Sequence, residues 1–89
     1  MANSQSVISG LVLDPDGQPV PDARIYFIEG PVPLPDIALL TDANGAFTLT
    51  APAPGTYTIG GTADGFEPAT VTVDVKRGQG VKVEIRLRR

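Results

Sequence analysis

Apolar and polar residues alternate with a period of two along almost the whole chain, and each run is cut short by glycine, proline or aspartate. Successive side chains of a strand point to opposite faces, so this pattern describes strands that are buried on one side. No segment carries the 3.6-residue stripe of an amphipathic helix. The cleanest run is 81–87, where Val81, Val83, Ile85 and Leu87 share one face and Lys82, Glu84 and Arg86 share the other.

The same reasoning predicts strands over 6–13, 24–29, 38–41, 46–50, 56–62 and 69–75. Asp14-Pro15-Asp16-Gly17 and Asp42-Ala43-Asn44-Gly45 are expected to form tight turns. There the Asx side chain caps the backbone and glycine takes a positive φ, while Pro15 fixes its own φ. Gly30-Pro31-Val32-Pro33-Leu34-Pro35 is expected to be a loop or polyproline segment, because proline cannot donate to a ladder. Lys76-Arg77-Gly78-Gln79-Gly80 reads as a hairpin loop. Seven short strands with frequent turns predict an all-β fold, a seven-stranded Greek-key-type β-sandwich. At 89 residues, one domain over 1–89 is expected. The inward members of the alternation give the expected core: Ile8, Val12, Ile25, Phe27, Leu40, Phe47, Leu49, Tyr57, Ile59, Ala63, Val71, Val73, Val83, Ile85 and Leu87.

What is missing bears on function. The chain has no His, Cys or Trp. That removes the commonest acid-base group, thiolate chemistry and the usual platform for stacking a sugar. Ser4, Ser6 and Ser9 have no base to activate them. Every acidic residue falls in a turn or at an outward strand position, so none has the apolar pocket that would raise its pKa. The Asp14/Asp16 and Asp42/Asn44 turns lack the further spaced ligands of a calcium loop. No helix follows Gly60-Gly61 or Gly78-Gln79-Gly80 to make a phosphate site. No catalytic residue, metal site or cofactor is therefore expected, and the chain does not read as an enzyme. A net charge of −3 and a pI near 4.6 argue against nucleic acid as a partner. Arg77, Lys82, Arg86, Arg88 and Arg89 gather near the C-terminal end and read as a solvated strand face. No segment has the length of a membrane span. The first residues lack the pattern of a signal peptide, so the expectation is cytoplasmic for a complete chain and extracytoplasmic for a domain of a longer exported protein.

Four blocks carry a resemblance: Ile8-x-Gly10-x-Val12-x-Asp14-x-x-Gly17-x-Pro19-Val20-x-x-Ala23-x-Ile25, Thr41-Asp42-x-x-Gly45-x-Phe47-x-Leu49, Pro54-Gly55-x-Tyr57-x-Ile59 and Ala63-x-Gly65-Phe66. In this order they resemble the carboxypeptidase regulatory-like domain, over nearly the whole chain. The resemblance implies the transthyretin-like (prealbumin-like) seven-stranded sandwich and a non-catalytic module attached to other proteins. The related hydroxyisourate hydrolases work through histidines and a Tyr-Arg-Gly-Ser-type terminus, and this chain has neither. The Lys–Asn isopeptide crosslink of collagen-adhesin B-type repeats is not expected either, because the only asparagines are Asn3 and Asn44. Two departures stand out. Gly61 occupies a position that is usually apolar, which suggests a bulge or a close neighbour. Leu11 and Leu13 occupy outward positions that are usually polar.

Leu11 and Leu13, with Tyr26 and Ile28 on the second strand and Val32 and Leu34 in the proline loop, are the candidate partner interface. The expected function is a non-enzymatic structural or protein–protein interaction module. It would dock onto another domain of its parent chain or onto a subunit of a larger assembly. Such a module could be an accessory domain of a surface or secreted protein, or a spike or tip component of an injection machine. The alternative is a β-sandwich that binds a small ligand or carbohydrate.

Overall fold

The computed structural model describes residues 6–34 and 38–89. Asn3, Ser4 and Pro35, named above, lie outside them. Seven strands and no helix are present among the described residues: β1 (Ser6–Leu13), β2 (Arg24–Glu29), β3 (Leu39–Leu40), β4 (Ala46–Ala51), β5 (Gly55–Thr62), β6 (Ala69–Val75) and β7 (Val81–Arg86). They form the expected all-β sandwich from two sheets, ordered β4-β1-β7 and β3-β2-β5-β6. β1 is antiparallel to β4 and parallel to β7. In the second sheet every pairing is antiparallel.

The inward positions fill the space between the sheets. Ile8, Val12, Ile25, Tyr57, Ile59 and Leu87 are fully enclosed, and Phe47 and Ile85 nearly so. Each such side chain contributes about 1.5–3 kcal/mol relative to exposure. Tyr57 buries its ring against Phe27, with centroids 5.4 Å apart. Its hydroxyl donates to the Ala53 carbonyl at 2.5 Å and accepts from the Ala53 N–H at 3.1 Å, which satisfies the polar end of a buried ring. Gly10 makes room for Phe47. A Cβ there would lie 2.7 Å from Phe47 Cζ and run into the Val83 carbonyl oxygen. Gly61 is likewise crowded by a neighbour: its Cβ would sit 3.3 Å from Ile25 Cδ1 and 3.4 Å from Ile85 Cγ2. The bulge of this sheet lies elsewhere, between Phe27 and Glu29 of β2.

Three expectations need correction. Leu40 is not in the core; it is 57% exposed, and Leu39 packs inward instead. Residues opposite each other in an antiparallel ladder share a face. Leu39 pairs with inward Ile25, and Leu40 with outward Arg24. The segment 76–80 is no hairpin loop, because β6 and β7 belong to different sheets. It does turn tightly, with Gln79 N–H on the Lys76 carbonyl and Gly78 at φ 70°. The chain then crosses the seam and β7 pairs with β1. The core also takes in Val20, Ala23, Ala51 and Val75, outside the expected set.

Thr41 locks the crossover that follows β1. It is buried, and its hydroxyl donates to the Val20 carbonyl at 2.7 Å while accepting from Ala23 N–H at 2.9 Å.

Candidate interaction faces

The parity that builds the core also fixes what each sheet shows to solvent. On β4-β1-β7, the outward row of β1 is Val7, Ser9, Leu11 and Leu13. Register places Thr50, Thr48 and Ala46 of β4 beside the first three, and Lys82, Glu84 and Arg86 of β7 beside the last three. Val7 is 46% exposed and Leu11 42%, whereas Leu13 is half-buried. Small side chains at Ser9 and Ala46 stand next to longer ones. The result is a shallow depression of about 490 Å³ bordered by Ser9, Leu11, Ala46, Thr48, Lys82 and Glu84. Glu84 and Arg86 pair at 2.9 Å along the rim, both about half exposed. Such a pair orients side chains more than it stabilises the fold.

The outer face of β3-β2-β5-β6 has a different character. Thr56, Thr58 and Thr62 of β5 and Thr70 and Thr72 of β6 form a polar surface. Tyr26 lies across Gly60. A Cβ at Gly60 would fall 2.5 Å from Tyr26 Cε2 and 2.7 Å from Cζ. The ring thus covers a strand glycine and is half-buried by doing so. Ile28 sits in the β2 bulge, 51% exposed.

The six interface candidates are therefore not one patch. Leu11 and Leu13 lie on one outer face, and Tyr26 and Ile28 on the opposite one. Val32 is exposed in the loop that follows β2. Leu34 folds back on the core, where its Cδ1 would lie 2.7 Å from a Cβ at Gly30. Among the described residues, two exposed large apolar side chains were missing from the set, Val7 and Leu40. Val7 shares the parity of Leu11 and Leu13, which is the signal that identifies it.

Both aspartate turns use their carboxylates on the backbone. Asp14 Oδ1 accepts from Asp16 and Gln18 N–H at 2.9 Å each, and Asp42 Oδ1 accepts from Asn44 and Ala46 N–H at 2.9 and 3.0 Å. The N–H of Gln18 is the main cause holding the Asp14 carboxyl below its ordinary pKa. Desolvation, the next largest effect, opposes it, and the Asp16 N–H and the Arg89 guanidinium add to the lowering. Arg89 reaches Asp14 at 3.1 Å and Asp16 at 3.5 Å, with its guanidinium carbon 5.3 Å from the centre of the Phe66 ring. This cluster ties the C-terminal end of the chain to the β1 turn. Among the described residues no group of three or more His, Cys, Asp or Glu is arranged to hold a metal ion, and no helix is long and apolar enough to cross a membrane.

The family model for the carboxypeptidase regulatory-like domain matches residues 7–88. No curated protein matches the sequence. Among solved structures, a minor pilin of Streptococcus agalactiae is similar with a TM-score of 0.76 at 17% identity, covering 100% of this chain and 46% of the pilin. A streptococcal ancillary pilin is similar at 0.71 and 15%, covering 99% and 33%. Catechol 1,2-dioxygenase from an Acinetobacter species is similar at 0.73 and 13%, covering 98% and 53%. This chain thus spans about a third to a half of those proteins. At such identities the likeness is one of fold, here a transthyretin-like sandwich.

Proposed function

The chain belongs to the carboxypeptidase regulatory-like domain family, and from that premise we propose that it is a non-enzymatic interaction module that docks another protein domain or subunit against the outer face of β4-β1-β7. One observation carries the reading. Leu11 and Val7 lie on the central strand of that sheet, outward, and remain 42% and 46% exposed beside the depression. Outward positions of a sheet face that meets water are normally polar, whether or not every pairing in the sheet is antiparallel. Covering Leu11 and Val7 would contribute roughly 1.5–3 kcal/mol each before entropy costs. The similarity to two pilins supports a role in assembly, and the settings that fit are an accessory domain of a surface protein or a tip component of a larger machine. A carbohydrate-binding role would use the same depression. The aromatic ring that lines it, Phe47, is buried and offers no open face to stack a sugar.

A photoreactive side chain placed at Ser9 tests this in cells. It should give a discrete protein adduct that Val7→Thr with Leu11→Thr removes, while the same probe at Thr58 on the threonine face gives none. The double variant should unfold within about 0.5 kcal/mol of the parent, as surface changes do. Equal labelling from both faces, or a double variant that unfolds like a core mutant, defeats the reading.

A further inference from the structure

We propose that a second copy of this chain adds across the free edge of β4 as an antiparallel strand, joining two three-stranded sheets into one. The inference concerns a strand edge rather than a sheet face, and it stands without the docking role above.

The hydrogen bonds fix which edge groups are free. Val12 N–H donates to Gly45 on the β4 side of β1, and Leu13 accepts from Leu87 on the β7 side. Even-numbered residues of β1 therefore bond towards β4, and odd-numbered ones towards β7. In the antiparallel β1–β4 ladder, even residues of β1 face odd residues of β4 (Gly10 with Phe47, Ile8 with Leu49). Phe47, Leu49 and Ala51 thus spend their backbone groups on β1. Ala46, Thr48 and Thr50 present theirs to the other side. Ala46 is already engaged: its N–H goes to Asp42 Oδ1 at 3.0 Å and its carbonyl accepts from Asp42 N–H at 3.0 Å. Among the described residues, Thr48 and Thr50 have no such partner on that side.

The remaining groups select both the occupant and the register. β4 has no charged residue, no proline and no bulge along its pairing with β1, so nothing along it repels or interrupts an added strand. The other edges are blunted. β7 carries Lys82, Glu84 and Arg86, β6 carries Asp74, and β3 is two residues long. A two-fold axis at Leu49 sets Thr48 of each copy opposite Thr50 of the other. Each pair then exchanges both backbone bonds, with two threonines side by side on the outer face. The next pair in that register is Ala46 with Pro52. Ala46 has its groups engaged and Pro52 has no N–H, so the ladder ends without an unmet donor. Centring the axis on Thr48 would instead place Thr50 opposite the occupied groups of Ala46. The edge complements itself best in one register, which is what a second copy supplies.

Sedimentation across a concentration series, with amide exchange at each point, tests this. The mass should rise towards a dimer. The Thr48 and Thr50 amides should slow in step with it, while the Phe47 and Leu49 amides are slow throughout. Thr50→Pro deletes an N–H that points away from β1 and should hold the chain monomeric while it stays folded. Should that proline unfold the chain, Thr48→Pro carries the same test, since the Thr48 N–H also points away from β1. A chain that stays monomeric at its highest soluble concentration overturns the proposal. So does a dimer whose Thr48 and Thr50 amides exchange freely, or one that survives whichever of the two variants folds.

Discussion

Thr41 shows how much of this fold hangs on single polar atoms. Its hydroxyl serves a buried carbonyl and a buried N–H at once, Val20 and Ala23. Thr41→Val keeps the shape and strands both groups, so unfolding in urea should show a loss of about 1–3 kcal/mol. Nothing in the sequence separates this threonine from those on the outer faces, because its partners come from an earlier crossover. The aspartate turns were legible, since Asx capping and positive-φ glycine are local: Gly17 and Gly45 have φ of 81° and 73°. Asp14 also carries a pH dependence. Its folded pKa lies below the ordinary 3.8. The stability it confers is complete above that value and disappears as pH falls through the lower, folded one. Asp14→Asn should flatten the acid limb of a plot of urea midpoint against pH and leave its shape near neutrality unchanged.

Strands with several alternations were readable in place and in facing, whereas the shortest one was readable in place, within 38–41, but not in facing. β1, β2 and β6 fall where the period of two puts them. β3 has only Leu39 and Leu40, two apolar residues with no alternation to decide which points inward. Pairing with β2 decides it. Leu39→Thr should therefore cost about 1–2 kcal/mol, as a half-buried leucine does, and Leu40→Thr should stay within about 0.5 kcal/mol. Thermal melts of the two variants distinguish this register from the reverse one. Tyr26 teaches the same lesson across strands. Read alone it is an outward aromatic in search of a partner, yet Gly60 opposite supplies one within the sheet.

At the scale of the whole molecule, alternation says which side of a strand is buried but not which sheet the strand joins. The outward set divided between two opposite faces because β1 and β2, neighbours in sequence, sit in different sheets. The turn at 76–80 misled for the same reason. The chain leaves the first sheet after β1, and its last strand returns to lie parallel with that strand, Ile8 beside Val81 and Leu13 beside Arg86. That pairing determines how the domain bears tension. Force applied at Ser6 and at Arg88 pulls β1 and β7 lengthwise in opposite directions, so the bonds between them are loaded together and must fail together. Force applied at Ser6 and Ala51, neighbours across the antiparallel β1–β4 pair, opens that ladder one bond at a time from its end. Single-molecule pulling should find a markedly higher rupture force for the first geometry than for the second, and equal forces would refute the argument. A chain tethered through its two ends is in this respect a shear-loaded link.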